Sequence, residues 1–362
     1  MQTRQMTATW AIRCGLVLAM AIGGCSSQPS AGRTSRSSPA EPVVLSYRDP
    51  VSRSQLRERA LEVLMAASTS EWAQERANAI EGLLEAPSRV EAVAAAGLKD
   101  ENEGVRSVSA MVVGRAGLSA LAPAVRPLLR DPSPYVRASA IFALARLGEQ
   151  VDQGPLAEIL FNHPSARVRA HAAYVIGQIG NDSALPMLGD AARRRTPGAS
   201  EIEQKLLQLQ IAEAMVRLGD RSQLDAIRAA LHPARPEDLE ATALAAQIIG
   251  SLGDRDSIDR LIYLSAYRGQ QGTQPPAEVM LAVAGALSEL GVGGGTAFAD
   301  EYASSPNEAL RAQAAYLYGQ VGKEENLDKL ARLMEDPGGL TRISAATATL
   351  RILGRSSQAL GR

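Results

Sequence analysis

Between Leu56 and Leu353 apolar residues return every three or four positions in short runs, and each run is closed by a glycine. Val136, Ala140, Leu144 and Leu147 mark one such run, which predicts an amphipathic helix from Pro134 to Leu147. A shorter helix is predicted to accompany each of these, as from Pro155 to Phe161. Proline at the start and glycine just past the end are the expected asymmetry of helix termini. Aligned on the closing residue, the pattern gives Gly117, Gly148, Gly180, Gly219, Gly253, Gly291, Gly322 and Gly354, at intervals of 31, 32, 39, 34, 38, 31 and 32 residues. A degenerate earlier copy runs through Arg76 and ends near Pro87. A repeat of this length marks units that bury their apolar face only against their neighbours. The expected fold is all-α: an α-α superhelix of about nine helix pairs over residues 56–354, with residues 355–362 as a tail.

The second helix of each clear unit begins with a recurring group of residues. Asp100 precedes Val105-Arg106, Asp131 precedes Val136-Arg137, Asn162 takes the Asp position before Val168-Arg169, and Asp336 precedes Arg342. Together with the Leu147-Gly148 and Ile179-Gly180 endings, this resembles HEAT repeats of the short kind first recognised in phycobilin lyases. The resemblance covers nearly the whole array and implies a solenoid whose second helices line its concave face. One turn into the helix, a guanidinium reaches the cap carboxylate of its own or the adjacent repeat. Arg106, Arg137, Arg169, Arg311 and Arg342 are therefore expected to form a structural ladder. Gln208, Thr242 and Met280 stand at that place in the middle repeats, where the junctions are expected to be weaker or rearranged.

Two surfaces are candidates for binding a protein partner. The extra residues of the three middle repeats fall between first and second helices and would form one ridge: Arg193, Arg194 and Arg195; His232 and Arg235; Tyr267 and Arg268. Insertions of this kind often lie on a binding face, although surface loops also tolerate them at little cost. The other candidate lies two, five and nine positions after the ladder arginine, on one helical stripe. It reads Ser139, Phe142 and Arg146, then His171, Tyr174 and Gln178, then Gln313, Tyr316 and Gln320. By the resemblance this stripe faces the concave surface; packing between the helices is the competing reading.

Catalytic signatures are missing. The three histidines, His163, His171 and His232, stand at no metal-ligand spacing, and neither a P-loop nor a Gly-x-Ser-x-Gly elbow occurs. No catalytic residue, metal or cofactor is expected. With a formal charge of -1 there is no basic excess to attract nucleic acid.

The N-terminus carries Arg4 and Arg13, a short apolar core from Cys14 to Ile22, and then Ile22-Gly23-Gly24-Cys25-Ser26. The core is too short to span a membrane and reads as a secretion signal. Its end resembles the lipobox of bacterial lipoproteins, which implies cleavage of residues 1–24 and lipidation of Cys25. Losing Arg4 and Arg13 takes the formal charge from -1 to -3, so attachment to an anionic membrane would rest on lipid. Residues 25–55, rich in Ser, Pro and Arg, are expected to be a disordered tether with a reach of about 30 Å. Ser26 in place of Asp favours the outer membrane in a Gram-negative cell. These features suggest a lipid-anchored, non-enzymatic scaffold on the periplasmic side of a bacterial envelope. The alternative is a phycobilin-lyase-like enzyme or accessory subunit holding a small ligand.

Overall fold

A computed structural model of the chain describes residues 47–233, 238–267 and 274–360. Helices come in nine successive pairs among these residues. The first members are α1 (Pro50–Ala67), α3 (Pro87–Gly97), α5 (Ala122–Val125), α7 (Gly154–Asn162), α9 (Leu185–Ala192), α11 (Leu224–Ala229), α13 (Ile258–Ala266), α15 (Gly295–Tyr302) and α17 (Leu327–Leu333). The second members are α2 (Ala73–Gly82), α4 (Glu103–Ala116), α6 (Pro134–Arg146), α8 (Ala166–Ile179), α10 (Glu201–Arg217), α12 (Leu239–Leu252), α14 (Ala277–Glu289), α16 (Glu308–Val321) and α18 (Gly339–Leu360).

The fold is the all-α array of helix pairs that the periodicity predicts, and it closes on itself. Each second helix packs against the second helices before and after it, and α18 packs against both α1 and α2. First helices pack on the inner helices beside them, α1 mostly on α18, and scarcely touch one another, as expected if they lie on the outer and longer circumference. Leu56, Ala60 and Leu64 of α1 share one core cluster with Ile343, Ala346 and Leu350 of α18. An open solenoid would need capping repeats to cover its two apolar ends. Here each end covers the other. Arg53 Nη2 to Glu324 Oε1 at 2.8 Å, Arg351 Nε to Glu85 Oε1 at 2.8 Å and an Arg59–Glu335 pair span the seam.

Closure by nine units needs each to turn by about 40°, which requires a wedge that is narrow on the inside. Small residues supply the narrow side. A methyl group on Gly114, Gly177, Gly250 or Gly319 would stand 2.7–2.9 Å from the Cα of Ala143, Ala214, Ala286 or Ala348 on the next inner helix. These glycines lie eight positions after the ladder place, and only in alternate repeats. The α4/α6, α8/α10, α12/α14 and α16/α18 junctions are accordingly the closest packed, and those between them are looser. Ala145, Val216, Ser288 and Leu350 occupy the glycine's place in the intervening helices.

Seven of the eight aligned glycines end their helices in the left-handed region, with φ from 66° at Gly117 to 108° at Gly219. Gly354 does not, and α18 continues through it to Leu360, where a tail was expected. The array also starts earlier than the periodicity placed it. Asp49 accepts hydrogen bonds from the backbone N–H of Val51 and Ser52, so α1 begins at Pro50.

The ladder joins neighbouring repeats. Arg76, Arg106 and Arg311 each donate through Nε and Nη2 to both oxygens of an Asp in the next repeat, Asp100, Asp131 and Asp336, at 2.8–3.0 Å. Their Nη1 groups donate to backbone carbonyls five and six residues upstream, tying down the turn that precedes the helix. Arg137 and Arg342 make these carbonyl bonds. Among the described residues no carboxylate pairs with Arg137, because the residue six before Arg169 is His163 and not Asn162, which corrects the expected register. His163 keeps only the capping part of the Asp role, its Nδ1 accepting from the Ser165 N–H at 3.1 Å. The middle junctions are rearranged: Lys205 pairs with buried Asp238 at 3.1 Å, and Thr242 Oγ1 donates to the Ala230 carbonyl at 2.9 Å.

Candidate functional site: the inner face of the ring

Nine inner helices present their residues at the same offsets from the ladder place, so the expected stripe can be followed around the whole ring. At the second and fifth offsets it is largely closed. Ser139, Phe142, His171 and Tyr174 are buried, at 0%, 2%, 6% and 6% exposure. They pack between helices and do not present a partner surface, which corrects that part of the expected concave stripe. The Phe142 ring lies against Gly114, where no larger residue would admit it. His171 Nε2 lies 3.1 Å from Ser139 Oγ, which in turn lies 2.8 Å from Ser107 Oγ, a hydroxyl-imidazole chain across α4, α6 and α8. Burial pushes the His171 pKa down to about 4, against a smaller upward pull from a hydrogen bond to the Tyr135 backbone, so the ring is neutral near pH 7.

Buried carboxylates, paired with arginines of the rim, sit on the same face. Arg115 donates to Glu81 Oε1 of α2 and to the Tyr174 hydroxyl of α8, both at 2.7 Å, reaching past α6. Glu213, 1% exposed, accepts from Arg217 Nε at 2.9 Å and from Gln210 Nε2 at 2.5 Å. Arg351 lies with its guanidinium 5.5 Å from the Tyr316 ring centre while pairing with Glu85. Offsets counted from Arg137, Arg169 and Arg311 do not reach these charged residues, whereas the same offsets from Arg76, Arg106, Gln208 and Arg342 reach all of them.

At the ninth offset the face opens to solvent. Around the ring it carries Glu85, Arg115, Arg146, Gln178 and Arg217, then Ser251, Glu289, Gln320 and Arg351. All are polar and none is buried. Of the expected stripe, Arg146, Gln178 and Gln320 belong to this rim, and Gln313 and Tyr316 are half-buried beneath it. Gln320 Nε2 donates to Glu289 Oε1 at 2.8 Å and to the Tyr316 hydroxyl. Below the rim the wall is open on the α12–α14 side, where Gln247 is exposed and Gly285 faces empty space.

The expected ridge lies on the opposite edge from the glycine-ended helix termini. Arg193 pairs with Asp190, Arg194 lies over the Phe161 ring at 4.6 Å, and Arg195 and His232 are exposed. Tyr267 packs 6.0 Å from Tyr263. Arg235, Arg268 and Cys25 lie outside the described residues.

A family model described as HEAT repeats matches residues 90–154 and 122–203. Residues 90–203 thus match HEAT repeats, and further helix pairs follow and precede them around the rest of the ring. Among solved structures, the complex of CpcE and CpcF of phycocyanin lyase from Nostoc sp. PCC7120 is similar at 17% identity, over 81% of this chain and 98% of that one, with a TM-score of 0.40. Human deoxyhypusine hydroxylase in complex with glycerol is similar at 15% identity, over 75% of this chain and 99% of that one, with a TM-score of 0.36. Kap121p is similar at 12% identity, over 84% of this chain and 43% of that one, with a TM-score of 0.33. No curated protein matches the chain.

Proposed function

We propose that the chain is a non-catalytic adaptor, held at a bacterial cell envelope through a lipid on Cys25, whose repeat ring docks partner proteins. The observation that carries the docking reading is the rim of the inner face. Nine successive inner helices place only polar side chains there, and three of them, Arg146, Gln178 and Gln320, were marked by the repeat offsets alone. Amides and guanidinium groups on a rigid helical wall suit hydrogen bonding to a protein surface without the cost of ordering a loop. The membrane and envelope part of the proposal rests on the Ile22-Gly23-Gly24-Cys25 segment.

Crosslinking and capture from solubilised envelopes tests the docking surface. A partner recovered with the parent protein and lost with Arg146→Ala, Gln178→Ala and Gln320→Ala combined supports the rim. One lost instead on shortening residues 193–198 moves docking to the ridge, and recovery of no discrete partner overturns the reading. Metabolic labelling with a clickable palmitate tests the anchor: label in the parent chain that is absent from Cys25→Ser is expected, and label unaffected by that change would refute it.

A further inference from the structure

On the glycine-ended edge of the ring, a cleft of about 470 Å³ opens where α10 and α12 pack loosely. Its volume is within the range of ligand pockets, about 300–1,000 Å³. The origin of the cleft lies in the alternation of close and loose junctions. Gly177 draws α8 onto α10, whereas Val216, at the corresponding place in α10, holds α12 away. Val216, Leu224 and Leu252 supply an apolar wall, and Gln178, Arg217, Arg221 and Ser251 supply the polar one.

The charges around this cleft are unevenly satisfied. Asp254, the acid in its lining, is turned inward at 4% exposure; Oδ1 accepts from Arg228 Nη2 at 2.6 Å, and Oδ2 from Arg228 Nε at 2.9 Å and Ser257 Oγ at 2.6 Å. Asp220 is occupied by the Ser222 N–H and hydroxyl and by Gln223. Glu213 is taken up by Arg217 and Gln210. Each nearby carboxylate is therefore committed to a partner inside the protein. The two arginines of the lining differ. Arg221 is exposed, its guanidinium makes no hydrogen bond among the described residues, and it acts on the Asp254 carboxylate through its charge alone. Arg217 is held in place by Glu213 on one side and by Ser251 Oγ at 3.2 Å on the other. An oriented guanidinium, a second exposed one, an amide and a hydroxyl beside an apolar wall are the complement of a carboxylate carried on an apolar stem.

We propose that this cleft binds a carboxylate on an apolar stem, and that it serves the docking function as the anchor for a carboxylate presented by the partner. A C-terminal carboxylate next to an apolar residue and an acidic side chain next to one share this chemistry. The inference rests on the docking reading for its role but not for its binding chemistry, so the two can fail separately.

The test is calorimetric titration of the purified full-length chain with four probes: N-acetyl-Ala-Leu as the free acid, its carboxamide, N-acetyl-Leu-Glu carboxamide and inorganic phosphate. The free acid is expected to bind with a Kd of about 1 mM or tighter, and its carboxamide roughly tenfold more weakly or worse. Tighter binding of the Glu peptide than of the free acid assigns the site to side-chain carboxylates, tighter binding of the free acid assigns it to C-termini, and equal binding supports a site that takes either. Arg221→Ala lies on an exposed turn and is expected to leave the helical circular dichroism unchanged, so its expected loss of roughly tenfold in affinity reads the site and not the fold. Gln178→Ala is the second variant and is expected to weaken binding in the same direction. Equal binding of acid and carboxamide, unchanged affinity in both variants, phosphate binding as tightly as the acid, or no binding of either carboxylate peptide would each overturn the proposal. A partner still captured through the rim after such a result would leave the docking reading standing.

Discussion

Gly177 of α8 lies so close to Ala214 of α10 that a Cβ on the glycine would come within 2.7 Å of the alanine Cα. The neighbouring atoms are backbone, so neither helix can move aside locally. Gly177→Ala is therefore expected to destabilise the ring by about 1–3 kcal/mol, since overpacking outweighs the gain of up to about 1 kcal/mol in helix propensity. Gly285 is the control on the same face: it sits within α14 with nothing within 4 Å of its added Cβ. Gly285→Ala is expected to stabilise by about 0.5–1 kcal/mol. Chemical denaturation midpoints of the two variants check both signs.

The ladder lacks one carboxylate at the α6/α8 junction. His163 caps its turn as the aspartates do but offers Arg137 no negative charge, and burial, with the nearby Arg169 and Arg137 cations, pushes its pKa down. His163→Asp is expected to restore the paired bonds that Arg106 makes with Asp131. The gain expected is about 0.5–2 kcal/mol, read as a rise in denaturation midpoint that Arg137→Ala abolishes.

The reverse change is expected to be costly. Asp131 is 8% exposed, receives both Arg106 bonds and closes the turn before α6 by accepting from the Ser133 N–H at 2.9 Å. Asp131→Ala would leave a half-buried guanidinium unpaired and that turn untied, at a cost of about 3 kcal/mol.

The buried histidine makes stability depend on pH in a defined window. His171 titrates near 6.5 in an unfolded chain and at about 4 in the ring, so between these values the unfolded state binds more protons. Its contribution is fully present above pH 6.5 and is lost as pH falls toward 4, by an amount on the order of 3 kcal/mol. His163, shifted in the same direction, adds to this fall. His171→Gln is expected to flatten most of the slope from pH 6.5 to 4 in thermal unfolding curves, whatever it does to stability at neutral pH.

Much of the helix inventory was legible because glycines and arginines mark helix ends by local physics. The left-handed φ at Gly117 or Gly253 depends only on adjacent residues, and the Arg106–Asp131 bond recurs at a fixed spacing. Closure was not legible, because it depends on the sum of nine small turns and on contacts between residues 271 apart, as Arg53 and Glu324 are. The alternation of Gly114, Gly177, Gly250 and Gly319 was present in the sequence but has a period of two repeats, which alignment on single repeats conceals. On the inner face, offsets that located exposed Arg146 and half-buried Gln178 and Gln320 also located buried Phe142 and Tyr174, since a helical stripe does not distinguish solvent from a neighbouring helix. Asp49-Pro50 carried a helix-start signal that the surrounding Ser- and Arg-rich composition masked.

Ring closure is the claim on which the inner face, its rim and the α10–α12 cleft all depend. It is tested most directly by double electron-electron resonance between spin labels at Arg59 and Glu335, which pair across the seam between the first and last repeats, in the chain carrying Cys14→Ser and Cys25→Ser so that only these sites are labelled. A closed ring predicts a single narrow distribution near or below about 20 Å, given inter-helix spacings of 8–10 Å. A distribution centred at several tens of ångströms, as nine pairs stacked in an open superhelix would place their ends, would contradict the account.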